Sequence, residues 1–269
     1  MTDSYLSRYD RMADRVAAQV IGHYSTSFSL ATRVLDPGTR RDIRNLYAVV
    51  RIADEIVDGA TAEANECPET ALDVYEEQVL HAWANTYRRC GIKDDHVRAF
   101  FSSMRRDTTQ TDYNADDLGA YIYGSAEVIG LMCLDIFLRE HDPSEQDRRT
   151  MEDGARALGS AFQKVNFLRD LGEDTRELGR AYLGPVLDED LKRTLTGEIT
   201  EELDAARTAI PLLPVAARRG VAAAEALFRD LNERIAATPA EDVAAARVSV
   251  PNHRKFLLTA RAIQKARTP

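Results

Sequence analysis

Along the chain, apolar positions recur at three- and four-residue spacing. Met12, Val16 and Val20 form one such series, and Leu46, Val50, Ala53 and Val57 form another. A period near 3.6 puts each series on one face of a helix, and no sustained period of two marks a strand. The pattern predicts an all-α protein. Helix breakers fall at Asp36-Pro37-Gly38, between Gly59 and Pro68, at Gly91, at Asp142-Pro143, between Gly179 and Pro185, across Pro211 to Pro214, and at Thr238-Pro239. Proline lacks the backbone donor a helix needs and glycine frees the backbone to turn, so these positions delimit roughly eight helices. No Ser/Gly-rich linker, low-complexity tract or fixed-period repeat divides the sequence, which favours one domain over residues 1–269.

Composition narrows the class. With 44% hydrophobic residues in 269, the chain has enough apolar surface for a substantial core. No uninterrupted run of about 18 apolar residues is present, and Met1 to Tyr5 lack the basic-then-apolar layout of a secretion signal, so a cytoplasmic location is expected. Cys67, Cys90 and Cys133 form no CxxC pair; they read as reduced thiols rather than zinc ligands. A net charge of −9 argues against nucleic acid as a partner. An anionic ligand must instead be met by local cationic groups.

Two segments carry candidate chemistry. In Asn45 to Asp58, Asp54 and Asp58 are four residues apart and Arg51 precedes them by three, so all three fall on one helical face. In Ala161 to Asp174, Gln163, Asn166, Asp170 and Asp174 line up the same way. With 44 acidic residues in the chain, i,i+4 acid pairs also arise by chance on solvated faces, and Asp10/Asp14 and Asp112/Asp116 read as such pairs. The two chosen segments differ in their surroundings. Leu46, Val49, Val50, Ile52, Ile56 and Val57 flank the first, and Phe162, Val165, Phe167, Leu168 and Leu171 flank the second. Like charges in apolar surroundings are costly unless a cation compensates them.

Aspartate and asparagine oxygens without histidine or cysteine suit hard Mg²⁺, or Mn²⁺, better than Zn²⁺. Two such stripes facing across a bundle would clamp a diphosphate through metal ions, with Arg51 and Arg169 donating to its oxygens. The implied step is ionisation of an allylic diphosphate. Its carbocation needs a dry aromatic wall, for which Tyr24, Phe28, Tyr47, Tyr121, Tyr123, Phe162 and Phe167 are candidates.

In order along the chain, several motifs resemble the squalene and phytoene synthase family. Tyr24-Ser25-Thr26-Ser27-Phe28, Leu35, Arg41, Tyr47, Arg51 and Asp54-Glu55-Ile56-Val57-Asp58 resemble its first substrate segment and first aspartate-rich motif. Met104-Arg105-Arg106-Asp107 and Tyr121 through Gly130 resemble its central helix. Leu158-Gly159, Gln163, Asn166 through Asp170, Glu173-Asp174 and Gly179 through Leu183 resemble the second motif, and Arg247 through Pro251 the C-terminal element. The resemblance implies a single-domain helical bundle of the class I isoprenoid synthase type around a central apolar cavity. It makes Asp54, Asp58, Asn166, Asp170 and Asp174 the Mg²⁺ ligands. Ser25, Ser27, Tyr47, Arg51, Gln163, Arg169, Phe228 and Arg247 would meet the substrate, and Tyr121 the reaction centre. The implied reaction joins two geranylgeranyl diphosphates head to head, giving phytoene by way of a cyclopropylcarbinyl diphosphate, without NADPH.

The chain departs from the family at two positions. Thr26 stands where relatives often carry a lysine, which removes an ammonium from the diphosphate region. Phe228 stands where they often carry tyrosine, and the second half-reaction is the step that would feel the missing hydroxyl. Three other readings compete with the first: a farnesyl-diphosphate enzyme making dehydrosqualene or squalene, a class I terpene cyclase, and a non-catalytic helical scaffold. Greasy substrates and products also suggest transient contact with a membrane surface. The five histidines share no ligand spacing, Trp83 reads as core, and Glu127 reads either as a cavity group or as a satisfied buried hydrogen bond.

Overall fold

The computed structural model describes residues 4–64, 66–77, 81–110, 113–173 and 187–266. Among these there is no strand. The helices are α1 (Tyr5–Tyr24), α2 (Thr26–Thr32), α3 (Pro37–Glu55), the single turn α4 (Thr61–Glu63), α5 (Pro68–Glu77), α6 (His81–Cys90), α7 (Asp94–Asp107) and α8 (Ala115–Ile122). They continue as α9 (Val128–Leu138), α10 (Glu145–Glu173), α11 (Glu189–Ala209), α12 (Val215–Ala237), α13 (Ala240–Ala245) and α14 (Asn252–Lys265). Wider π turns follow α3 at Ile56–Ala60 and join α8 to α9 at Tyr123–Glu127.

There are more helices than the breakers predict, because polar caps also start them. Ser25 ends α1 and caps α2, its Oγ accepting from the Phe28 amide at 3.1 Å, and so splits a run that looks continuous by hydrophobic period alone. Asp36 accepts from the Gly38 and Thr39 amides at 3.0 Å each, with Pro37 opening α3. The predicted break between Gly179 and Pro185 lies outside the described residues.

Two core clusters flank the centre. One packs Leu46 and Val49 of α3, Phe100 and Phe101 of α7, and Met132 and Ile136 of α9 together, with Trp83 inside it. The other packs Leu168 of α10, Ile199 and Leu203 of α11, and Ile235 of α12. The continuous stretch Asp117–Leu138 is long and, on average, apolar enough to cross a membrane, although Ser125, Glu127 and Asp135 interrupt its apolar residues. Most of it is buried in the bundle, where α9 is apolar nearly all round because helices surround it. Asp10 and Asp14 do not lie on a solvated face. They accept from Asn85 at 3.2 Å and Asn45 at 3.1 Å, holding α1 to α6 and α3. Asp112 lies outside the described residues.

Long helix α10 runs beside α9 at backbone contact. A Cβ on Gly159 would come within 2.5 Å of the Ala126 carbonyl oxygen, and one on Gly130 within 2.3 Å of the Ala155 carbonyl oxygen. Between α2, α3, α9, α10 and α12 this leaves a cavity of about 430 Å³.

Candidate active site

The cavity has one polar end. On α10 its wall includes Met151, Gly154, Ala155, Leu158, Gly159, Phe162, Gln163, Asn166, Phe167 and Asp170, steps of three and one that trace a single helical face, with Arg169 added at its polar end. On α3 the wall is Ile43, Leu46, Tyr47, Val50, Arg51 and Asp54, continued by Asp58. Both walls are apolar deep inside and turn polar at their C-terminal ends. Asp58 falls in the π turn after α3, so the two aspartates are separated by a change of helical winding rather than by one regular turn. Gly59, at φ 137, kinks the turn from within, in a backbone conformation that side chains disfavour.

Asp54 keeps 35% of its side-chain surface, but that surface opens into the cavity. Burial pushes its pKa well above the ordinary carboxylate range. The Asp58 charge adds to the shift, Arg51 opposes it, and Asp107 and Glu55 raise it further. Arg51 bridges Asp54 and Glu55 and lies over the Tyr24 ring, 4.6 Å from its centroid. Across the cavity, Arg169 Nε donates to both oxygens of Asp170 at 2.9 and 3.0 Å, and Arg247 Nε lies 3.0 Å from the same carboxylate. Tyr47 ties the two sides together. Burial raises its pKa, and it feels Arg51 and Asp54 from its own helix and Arg169 from α10.

The aromatic wall is narrower than the sequence suggests. Phe28, Tyr47, Tyr121, Phe162 and Phe167 line the cavity. Tyr24 and Tyr123 do not, being exposed under Arg51 and Arg156. Phe228 is buried one layer back, stacked on Phe162 at 3.8 Å and beside Phe28 at 5.6 Å, and supports the wall without forming it. Ser25, the cap of α2, and Ser27, in its first turn, are half-buried and outside the lining, and Ser25 lies within reach of the Tyr47 phenol. Glu127 is no cavity group; it accepts from Arg156 Nε at 2.7 Å. Asp174 lies outside the described residues, as do Gly179 to Leu183.

Sequence reading gave no role to Asp107. Its carboxylate accepts from the Tyr121 hydroxyl at 2.7 Å and the Tyr113 hydroxyl at 3.1 Å, and its charge reaches Asp54. An acid directly after Arg105-Arg106 was the available signal, but no helical spacing connects it to a tyrosine fourteen residues on.

Among the described residues, no three His, Cys, Asp or Glu side chains converge closely enough to cage one ion. The donor set still suits a hard cation shared with an anion. Its oxygens come from Asp54, Asp58, Asn166 and Asp170, and Asn166 Oδ1 is buried without a hydrogen-bond partner.

A family profile described as squalene/phytoene synthase matches residues 21–254. The chain belongs to that family. Phytoene synthase 1 of Arabidopsis thaliana is 33% identical over 189 residues, covering 65% of this chain and 42% of that protein. Phytoene synthase 2 of Solanum lycopersicum is 33% identical over 188 residues, covering 65% and 58%. The matches thus span less than two thirds of these relatives' length. Among solved structures, a dehydrosqualene synthase in complex with ligand superposes with a TM-score of 0.77 at 20% identity, over 97% of this chain and 99% of its own. Squalene synthase HpnC of Alicyclobacillus acidocaldarius gives 0.71 at 19% identity, over 86% and 96%. These likenesses show the fold.

Proposed function

We propose that this squalene/phytoene synthase family member joins two prenyl diphosphates head to head, with geranylgeranyl diphosphate as the preferred substrate and phytoene as product. The observation that carries this is the shared mouth, where Asp54 and Asp58 face the same apolar cavity as Asn166 and Asp170. Mg²⁺ held by these oxygens would neutralise diphosphate charge and help it leave. Arg51 and Arg169 now hold carboxylates at the mouth and are placed to donate to diphosphate oxygens instead. In the first half-reaction the C–O bond of one substrate breaks, its electron pair leaving with diphosphate. The allylic carbon alkylates the second substrate, and loss of a proton closes the cyclopropylcarbinyl diphosphate. Loss of the second diphosphate, rearrangement and loss of another proton give the hydrocarbon.

The protein's own groups keep this chemistry dry. Phe28, Phe162 and Phe167 present rings to the cavity, and Asp107 fixes the Tyr121 hydroxyl so that its ring stays against Phe167. The likeness to phytoene synthases favours the C20 substrate, and the length of the cavity wall admits it. The α10 wall spans twenty residues from Met151 to Asp170, about 28 Å of helix. At about 1.2 Å per extended bond, a C20 prenyl chain needs about 18 Å and a C15 chain about 13 Å. Farnesyl diphosphate, with dehydrosqualene as product, is the alternative.

Purified protein offered C15 and C20 diphosphates together with Mg²⁺ is expected to release a C40 hydrocarbon, identified by mass. Asp54→Ala and Asp170→Ala should each lose at least about a hundredfold in turnover while keeping helical content and cooperative melting. Wild-type protein inert towards both substrates would sink the proposal.

We infer further that α1 is the face that meets lipid. Tyr5, Leu6, Tyr9, Met12 and Val16 are exposed along it, Arg8 and Arg15 flank them, and Asp10 and Asp14 point into the bundle. Co-sedimentation with anionic phosphatidylglycerol vesicles should be lost in Met12→Glu/Val16→Glu. Equal pelleting of the variant, or none by the wild type, refutes this surface.

A further inference from the structure

Beside the mouth, α14 packs on α12 and touches α2. Arg254 Nε donates to Asp230 of α12 at 2.5 Å, fastening the first turn of α14. The next residue, Lys255, reaches α2, where its Nζ donates to Thr26 Oγ1 at 2.8 Å. That contact joins residues 229 positions apart and places an ammonium on the segment carrying Ser25, Ser27 and Phe28. Its partner there is a neutral hydroxyl, and its charged neighbours are cationic. Burial lowers the Lys255 pKa, and Arg169 and Arg247, the two arginines on Asp170, lower it further. An ammonium within electrostatic reach of two guanidiniums is repelled by both. It gains most when a polyanion enters among them.

We propose that Lys255 is a diphosphate-binding residue, delivering from α14 to Thr26 the ammonium that this chain lacks at position 26. The proposal rests on the reading of the mouth as a diphosphate site. It assigns the departure at Thr26 a compensation: the threonine hydroxyl orients a lysine that comes from another helix, and the long lysine stem covers the distance.

The test measures binding of inorganic diphosphate with Mg²⁺ to the full chain by calorimetry, which needs neither prenyl chain nor turnover. Lys255→Ala should weaken binding on the order of tenfold or more, the usual scale for a hydrogen bond to a charged group. Lys255→Arg should stay within about threefold of wild type, since the charge is kept. Thr26→Lys/Lys255→Ala should recover most of the lost affinity, an outcome that mere loosening of α14 would not produce. Undiminished binding by Lys255→Ala, or weakening that Thr26→Lys does not reverse, overturns the role of Lys255 and leaves the diphosphate site standing. Wild-type protein that binds no diphosphate overturns both.

Discussion

Asp135 of α9 shows how one buried acid makes stability depend on pH. Its side chain is 13% exposed and lies 3.9 Å from His96 Nδ1, and neither Asp135 Oδ2 nor that nitrogen has a hydrogen-bond partner. Burial pushes its pKa up to about 6; Glu152 adds to the shift while Lys93 and Arg148 oppose it. A folded pKa above the unfolded value means that the folded state holds the proton more tightly. The acid therefore costs nothing below about pH 4, and its penalty grows until the pH passes about 6. His96, whose pKa burial and Lys93 lower, contributes the opposite slope up to its unfolded value, so the informative quantity is a difference. The melting temperature of Asp135→Asn minus that of wild type should rise between pH 4.5 and 7, towards a few degrees, or on the order of 2 kcal/mol. A difference that is flat with pH would refute it. Single residues of this kind were poorly legible in the sequence. Trp83 read correctly as core, but Asp135 gave no sign and Asp107 only its place after Arg105-Arg106, because their burial comes from helices distant in the chain.

Elements were more legible where breakers end them than where caps start them. Pro37, Gly91, Pro143, Pro211 and Pro239 all mark real ends, since missing donors and free backbones act locally. The Ser25 cap and the two π turns went unread because neither disturbs the apolar period. Close approach of helices was also invisible. The structure now separates glycines that look alike in sequence. A Cβ at position 159 would meet backbone of Ala126 and Glu127, whereas one at position 197 in α11 would meet nothing within 4 Å. Gly159→Ala should therefore destabilise by about 1–3 kcal/mol by forcing α10 off the neighbouring turn. Gly197→Ala should stabilise by about 0.5–1 kcal/mol by raising helix propensity. Denaturant midpoints measure both, and equal shifts of the two variants would contradict the packing assigned to α9 and α10.

At the scale of the whole molecule, the two acidic faces were legible because each repeats its polar positions at helical spacing, but their meeting at one mouth was not. It depends on α3 and α10 being held on opposite sides of one cavity by helices between them in sequence, and periodicity carries no information about that. The far end of the cavity was equally hidden. Met151, Leu213 and Val221 close it from α10, the turn after α11, and α12, and nothing in their local sequence distinguishes them from ordinary core. If prenyl chains extend from the mouth to that end, its depth sets the length accepted. Val221→Phe adds a ring there, in a cluster with Leu134, Leu138 and Met151. Because the ring enters a cavity rather than a filled core, its stability cost should fall at or below the low end of the 1–3 kcal/mol typical of overpacking. The longer chain loses room first, so in a C15/C20 competition the ratio of C40 to C30 product should fall at least about tenfold, a difference of about 1.4 kcal/mol between the two transition states. A folded Val221→Phe variant with an unchanged product ratio would mean that the chains end short of Val221.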